Sequence, residues 1–114
     1  MDREIQKYLC DIKLCIEEIE EFVRIKGRLF EVFLGDTMFR RAIERNISII
    51  GEAMTKILQR DSEIPISEAK NIKRCRNYVV HAYDSLDSSI IWGVVINDLP
   101  KLKEEVQNLM NDNL

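Results

Sequence analysis

Ile5, Tyr8, Leu9, Ile12, Cys15, Ile16, Ile19, Phe22 and Val23 recur at steps of three and four residues along the start of the chain. An α-helix turns once every ~3.6 residues, so this spacing lines one side of a helix with apolar groups and leaves the other side polar. The stripe predicts a helix from residue 2 to about 26, stopped at Gly27, and it obliges the chain to bury that side against other helices. A second stripe, Phe39, Ala42, Ile43, Ile47, Ile50, Met54, Ile57 and Leu58, predicts a helix over 37–59. Asp36 stands before it as an N-cap carboxylate. Between the two lies a connector whose apolar patch, Phe30, Val32, Phe33 and Leu34, ends at Gly35.

Beyond Leu58 the chain is polar from Arg60 to Pro65, and the proline biases Ile64 away from helix. Ser67 is expected to cap a third helix over 68–83. Asp84-Ser85-Leu86-Asp87 reads as a turn, with Asp87 or Ser88 capping a fourth helix that begins near Ser88. Pro100 lacks an amide proton and should break or kink that helix, leaving Lys101 to Met110 as a separate one. No strand-period segment, internal repeat or glycine-rich phosphate loop intervenes. The expected fold is therefore all-α, an antiparallel bundle of four to five helices. A chain of 114 residues that is 46% apolar, with four Gly and two Pro, can enclose one core, so residues 1–114 are read as a single domain.

The net charge of −3 does not suit a nucleic-acid binder taken as a whole, but its distribution is uneven. Glu17, Glu18, Glu20 and Glu21 crowd the first helix, whereas Lys70, Lys73, Arg74 and Arg76 stand in a segment with the single acid Glu68. Cys10, Cys15 and Cys75 form neither an even set nor a C-x-x-C pair, and there is one histidine. They are read as reduced, structural residues, with no metal and no cofactor expected. No run approaches the ~18 apolar residues of a membrane span, and the N-terminus lacks the apolar stretch of a signal peptide, so a cytoplasmic protein without a membrane partner is expected.

The basic segment also carries the lone histidine. With Ile72 at the centre of the third helix's apolar stripe, Cys75, Val79 and Tyr83 follow on that stripe, and Arg76 falls on its shoulder. Asn77 and His81 lie at about 140° and about 180° from Ile72, an i, i+4 pair facing away from the core. A group on that outer face meets its counterpart only across a symmetric interface, which points to a homodimer that joins through this helix and brings two histidines to one cleft. Cleaving RNA through the ribose 2′-hydroxyl needs a base, an acid and a cation for the phosphorane, and two imidazoles with arginines answer that need. The blander reading is a histidine near a helix end acting as a surface or dipole partner, a snorkelling arginine, and Tyr83 at the core edge.

Arg76-Asn77-Tyr78-Val79-Val80-His81-Ala82-Tyr83 resembles the R-x-x-x-x-H-x-Y signature of the HepT-like HEPN proteins. Arg41-Ala42-Ile43-Glu44-Arg45, the block Ile50-Gly51-Glu52-Ala53, Ile64-Pro65, Ile91-Trp92 and Asn97-Asp98-Leu99-Pro100 are similar to the rest of that family's pattern, over nearly the whole chain. Ile66, where relatives often carry Trp, and Ala82, where they often carry Gly, depart from it. The resemblance implies a homodimeric HEPN bundle that cleaves RNA without metal, tRNA being one candidate substrate. His81 would be the general acid or base, Arg76 the phosphate clamp, Asn77 an orienting group, and Lys73 with Arg74 the RNA track.

It further implies a toxin of a type VII (HepT/MntA) toxin–antitoxin system. The partner is a small MNT-type nucleotidyltransferase that uses ATP to place AMP on the motif tyrosine, here Tyr83. A bulky anion there would obstruct the phosphate site. The alternative is a catalytically silent HEPN interaction module that binds a nucleotidyltransferase through Tyr83; a nucleotide-binding helper subunit of a transferase ranks third. The presence of both Arg76 and His81 favours the enzyme, since a pure adaptor has no chemical need for both, and finding them buried or salt-bridged away from any cleft would favour the module.

Overall fold

Helix α1 (Arg3–Lys26) opens on a side-chain cap, the Asp2 carboxylate accepting the amide protons of Glu4 at 2.7 Å and Ile5 at 3.3 Å. It closes at Gly27, whose φ of 92° is the left-handed geometry that glycine reaches without a Cβ penalty. The computed structural model describes residues 2–80 and 85–111. Within them follow α2 (Phe30–Gly35), α3 (Thr37–Arg60), α4 (Ala69–Val80), α5 (Ser85–Gly93) and α6 (Leu99–Asn111), with a π-helical turn, Val94–Asp98, joining the last two. The expected all-α bundle is what forms, and no described residue lies in a strand.

Three contacts fix α1 and α3 as antiparallel neighbours. Arg60 meets Asp2 at 3.0 Å, Asn46 donates to Glu18 at 3.3 Å, and Lys26 meets Asp36 at 2.9 Å, so residues climbing one helix pair with residues descending the other. Their facing stripes hold Leu9, Ile12, Ile16, Ile19, Ile43, Ile47, Ile50, Met54 and Ile57 almost wholly out of water. Each such side chain contributes about 1.5–3 kcal/mol of transfer free energy, which is what holds the pair together. Helix α6 closes the other flank of α1, with Leu102 and Val106 buried and Lys103 paired to Glu20 at 2.9 Å. No helix among the described residues is long and apolar enough to cross a membrane.

Four expectations need correction. The connector after Gly27 is not irregular: Phe30–Gly35 forms the short α2, because Phe33 gains a fully buried place stacked on Trp92 at 4.8 Å with Phe39 edge-on at 5.7 Å. Ser67 does not cap the next helix; its amide and hydroxyl both donate to the Glu105 carboxylate, at 2.9 and 3.1 Å, so it latches the start of α4 to α6. Residues 85–87 are helical and not a turn, which puts Asp87 in the first turn of α5 where the helix dipole favours an acid. Pro100 does not end the helical path. The turn before it widens until the Leu99 amide reaches back to the Val94 carbonyl, and the proline then sits in the first turn of α6, where its missing proton costs nothing.

Candidate active site on helix α4

Pro65 sits between Ile64 and Ile66, whose buried side chains anchor the approach to α4. Ala69, Ile72 and Cys75 then form the buried stripe of the helix, with Val79 half-buried at its far end. Lys70, Lys73, Arg74, Arg76 and Asn77 are exposed on the remaining surface. Every ion pair found among the described residues lies outside α4, so no carboxylate among them neutralises the guanidinium of Arg76. Arg74 donates to the Asn71 side-chain oxygen at 3.2 Å, and Asn71 in turn donates to Glu68, a chain that steadies Arg74 without quenching its charge.

The backbone under Arg76 is held by Gly51. A Cβ built on Gly51 would stand 3.1 Å from the Arg76 nitrogen, 3.3 Å from its Cβ and 3.3 Å from the Ile72 carbonyl oxygen. A side chain at this position would be crowded unless α3 and α4 moved apart by a few tenths of an ångström. The consequence is positional: the exposed arginine rises from a segment of backbone pressed against α3, which limits how far it can drift.

Two of the expected site residues, His81 and Tyr83, lie outside the described residues, and so does the expected end of the third helix at 83. Arg76, Asn77, Lys73 and Arg74 are placed together on one helix, all of them exposed. The pattern of α3 had hidden two features. Gly51 looks from the sequence like an ordinary weak point in a helix, and its close contact emerges only from packing. Glu44, on the same stripe one heptad earlier, is buried to 4% exposure; its Oε1 lies 3.3 Å from Arg41, and its Oε2 lies 3.9 Å from Arg40 without a hydrogen bond. Neither residue type announces such a role from spacing alone.

Around the start of α4, burial and then the carboxylate of Glu68 raise the pKa of the Asp98 carboxyl from its usual value. Burial, and secondly Asp98, push the Cys75 thiol up to about 11. Both shifts favour the protonated form, so this side of α4 is a packing seam with little nucleophilic character. A groove of about 560 Å³ lies elsewhere, between α1 and the π turn, lined by Ile16, Ile19, Val23, Val95, Leu99 and Pro100 among others; no residue of α4 borders it. Lys73, Arg74, Arg76 and Asn77 are displayed on the exposed surface of α4.

The sequence model of the family described as "Ribonuclease HepT-like" matches residues 12–109, which takes in α4 and almost every core position. The chain belongs to the HepT-like ribonuclease family. "Probable ribonuclease HepT" of Thermococcus cleftensis is 38% identical to it over 113 residues, covering 96% of this chain and 98% of that one. A Methanocaldococcus jannaschii protein named "Putative RNase" is 31% identical over 107 residues, 92% of this chain and 95% of its own. One from Caldanaerobacter subterraneus with the same name is 30% identical over 100 residues, 83% and 87%. No solved structure gives a significant match. For a HepT-like chain, the resemblance read from Arg76 to Tyr83 thus extends through all six helices.

Proposed function

We propose that this HepT-like chain is a metal-independent endoribonuclease and the toxin of a toxin–antitoxin pair, acting as a homodimer whose cleft is shared by the outer faces of two α4 helices. The observation that carries the reading is Arg76: exposed, unpaired with any carboxylate among the described residues, and braced from behind by Gly51. A cation kept free in this way has no structural return on its own helix.

In the proposed reaction, a base takes the proton of a ribose 2′-hydroxyl, whose oxygen attacks the adjacent phosphorus. A proton is delivered to the departing 5′-oxygen, leaving a 2′,3′-cyclic phosphate and a free 5′-hydroxyl. His81, one from each protomer, is assigned the proton transfers. Arg76 is assigned the clamp on the non-bridging oxygens, because its planar fork meets two of them at once and stays charged at any working pH. Asn77 orients the pair, and Lys73 and Arg74 hold the flanking RNA, tRNA being one candidate substrate. Tyr83 is assigned as the AMP acceptor for a cognate MNT-type nucleotidyltransferase, the mark that silences the toxin.

The first test is RNA integrity in EDTA with purified wild type, Arg76→Ala and His81→Ala. Cleavage that resists EDTA and falls by about 10²–10³-fold in each variant supports the reading. Intact RNA from a folded, unmodified wild-type dimer would sink it and favour the interaction module. For the regulatory half, intact mass after incubation with the transferase and ATP should gain AMP, and a Tyr83→Phe variant should not. Equal masses would leave inhibition to simple binding.

A further inference from the structure

We infer that the exposed face of α4 is a phosphate track for single-stranded RNA that extends past Lys73 and Arg74 to Lys70, which serves as its distal contact. The inference rests on the ribonuclease reading for the identity of its occupant, and on the following for its existence.

Lys70, Lys73, Arg74 and Asn77 occupy positions i, i+3, i+4 and i+7 of one helix, so they form a single exposed stripe, with Arg76 at its shoulder. Elsewhere several cations have a carboxylate within reach: Arg24 with Glu21, Lys26 with Asp36, Arg40 and Arg41 with Glu44, Arg60 with Asp2, Lys103 with Glu20. On α4 the neighbours at three and four residues are like charges, Lys70 with Lys73, Lys70 with Arg74, and Lys73 with Arg76. Such pairs repel and weaken a helix by a few tenths of a kcal/mol each, so the free protein gains nothing from them. An anion laid along the stripe reverses the sign.

The spacing selects a polyanion. From Lys70 to Asn77 the helix rises roughly 10 Å at 1.5 Å per residue, too far for one phosphate to meet both ends and within reach of successive phosphates of one strand. Contacts of this kind hold the backbone and read no base. The track also leads along the helix to Arg76 and Asn77, so a strand held at Lys70 is delivered to the group assigned to the scissile phosphate.

The test uses the full chain and a labelled 2′-O-methyl RNA oligonucleotide, which the proposed reaction cannot cut, titrated over a series of salt concentrations. Replacing Lys70 with Gln should weaken binding and flatten the plot of log affinity against log salt by about 0.7, and Lys70→Gln with Lys73→Gln together by about 1.4. The melting temperature of the free variants should stay level or rise, because a repulsion has been removed; a merely structural lysine would lower it. On cleavable RNA, Lys70→Gln should raise KM. Wild-type cleavage together with an unchanged slope and KM in Lys70→Gln overturns the track and leaves the ribonuclease reading standing. A flattened slope without cleavage by wild type supports the track and removes that reading. Failure of wild type to bind the RNA while it binds polyglutamate assigns the stripe to an acidic protein and overturns the inference.

Discussion

Gly51 on α3 and Arg76 on α4 pack backbone to backbone, so that a methyl group at Gly51 would stand 3.1 Å from the Arg76 nitrogen and 3.3 Å from its Cβ. Gly51→Ala therefore sets two effects against each other. Alanine gains up to about 1 kcal/mol of helix propensity. Its Cβ, however, meets backbone atoms at 3.1 and 3.3 Å that cannot rotate away, so α4 must shift by a few tenths of an ångström. The expected outcome is a nearly unchanged midpoint in urea with RNA cleavage reduced on the order of tenfold, since small displacements of a positioned group are costly. Full activity with unchanged stability would show that the contact does not position Arg76.

Phe33 is a single side chain that ties α2 to the bundle. It has no exposure, stacks on Trp92 at 4.8 Å and meets Phe39 edge-on. Phe33→Ala should cost about 3–5 kcal/mol by lost transfer and the cavity left behind. Denaturant unfolding followed by the fluorescence of Trp92, the one tryptophan, reads both the stability and the altered ring environment. A loss below about 1 kcal/mol would mean that α2 contributes little to the core.

Asp36 links the start of α3 to acid stability. Its carboxylate accepts the Phe39 amide proton at 3.0 Å and pairs with Lys26 at 2.9 Å, and in that order these contacts hold its carboxyl below the usual range. A depressed folded value means that the stabilisation is fully present above the unfolded value of about 3.9 and is lost as pH falls through the lower folded one. Asp36→Asn keeps a good cap and cannot titrate. Melting temperatures across that acid range should therefore fall more steeply in wild type than in the variant; parallel curves would refute the assignment.

Cysteine reactivity should be graded by packing. Cys15 is buried and its thiol is pushed up to about 11 by that burial and then by Glu18; Cys75 is raised similarly, whereas Cys10 is only half-buried. Iodoacetamide in mildly alkaline buffer should add one group to the folded protein, at Cys10, and three after unfolding. Rapid labelling of Cys75 in the native state would mean that the α4 seam opens to solvent.

The stripe from Ile5 to Val23, its counterpart from Phe39 to Leu58, the stop at Gly27 and the cap at Asp36 were legible in the chain because each depends on neighbours within a turn or two. So were the candidate groups of α4, since covalent spacing alone sets which residues share a helix face. Tertiary structure decided the rest. Phe33 turned a connector into a helix by finding Trp92, and Glu105 took Ser67 from its expected cap. A widened turn absorbed Pro100, and Gly51 became the brace beneath Arg76. The outcomes at Phe33, Ser67 and Gly51 hinge on partners 25 to 60 residues away in sequence, whose contact energy outweighs the small local preferences that periodicity reports. The unpaired charge of the α4 stripe belongs to the same class: the sequence lists the lysines and arginines, but only packing reveals that no carboxylate among the described residues reaches them.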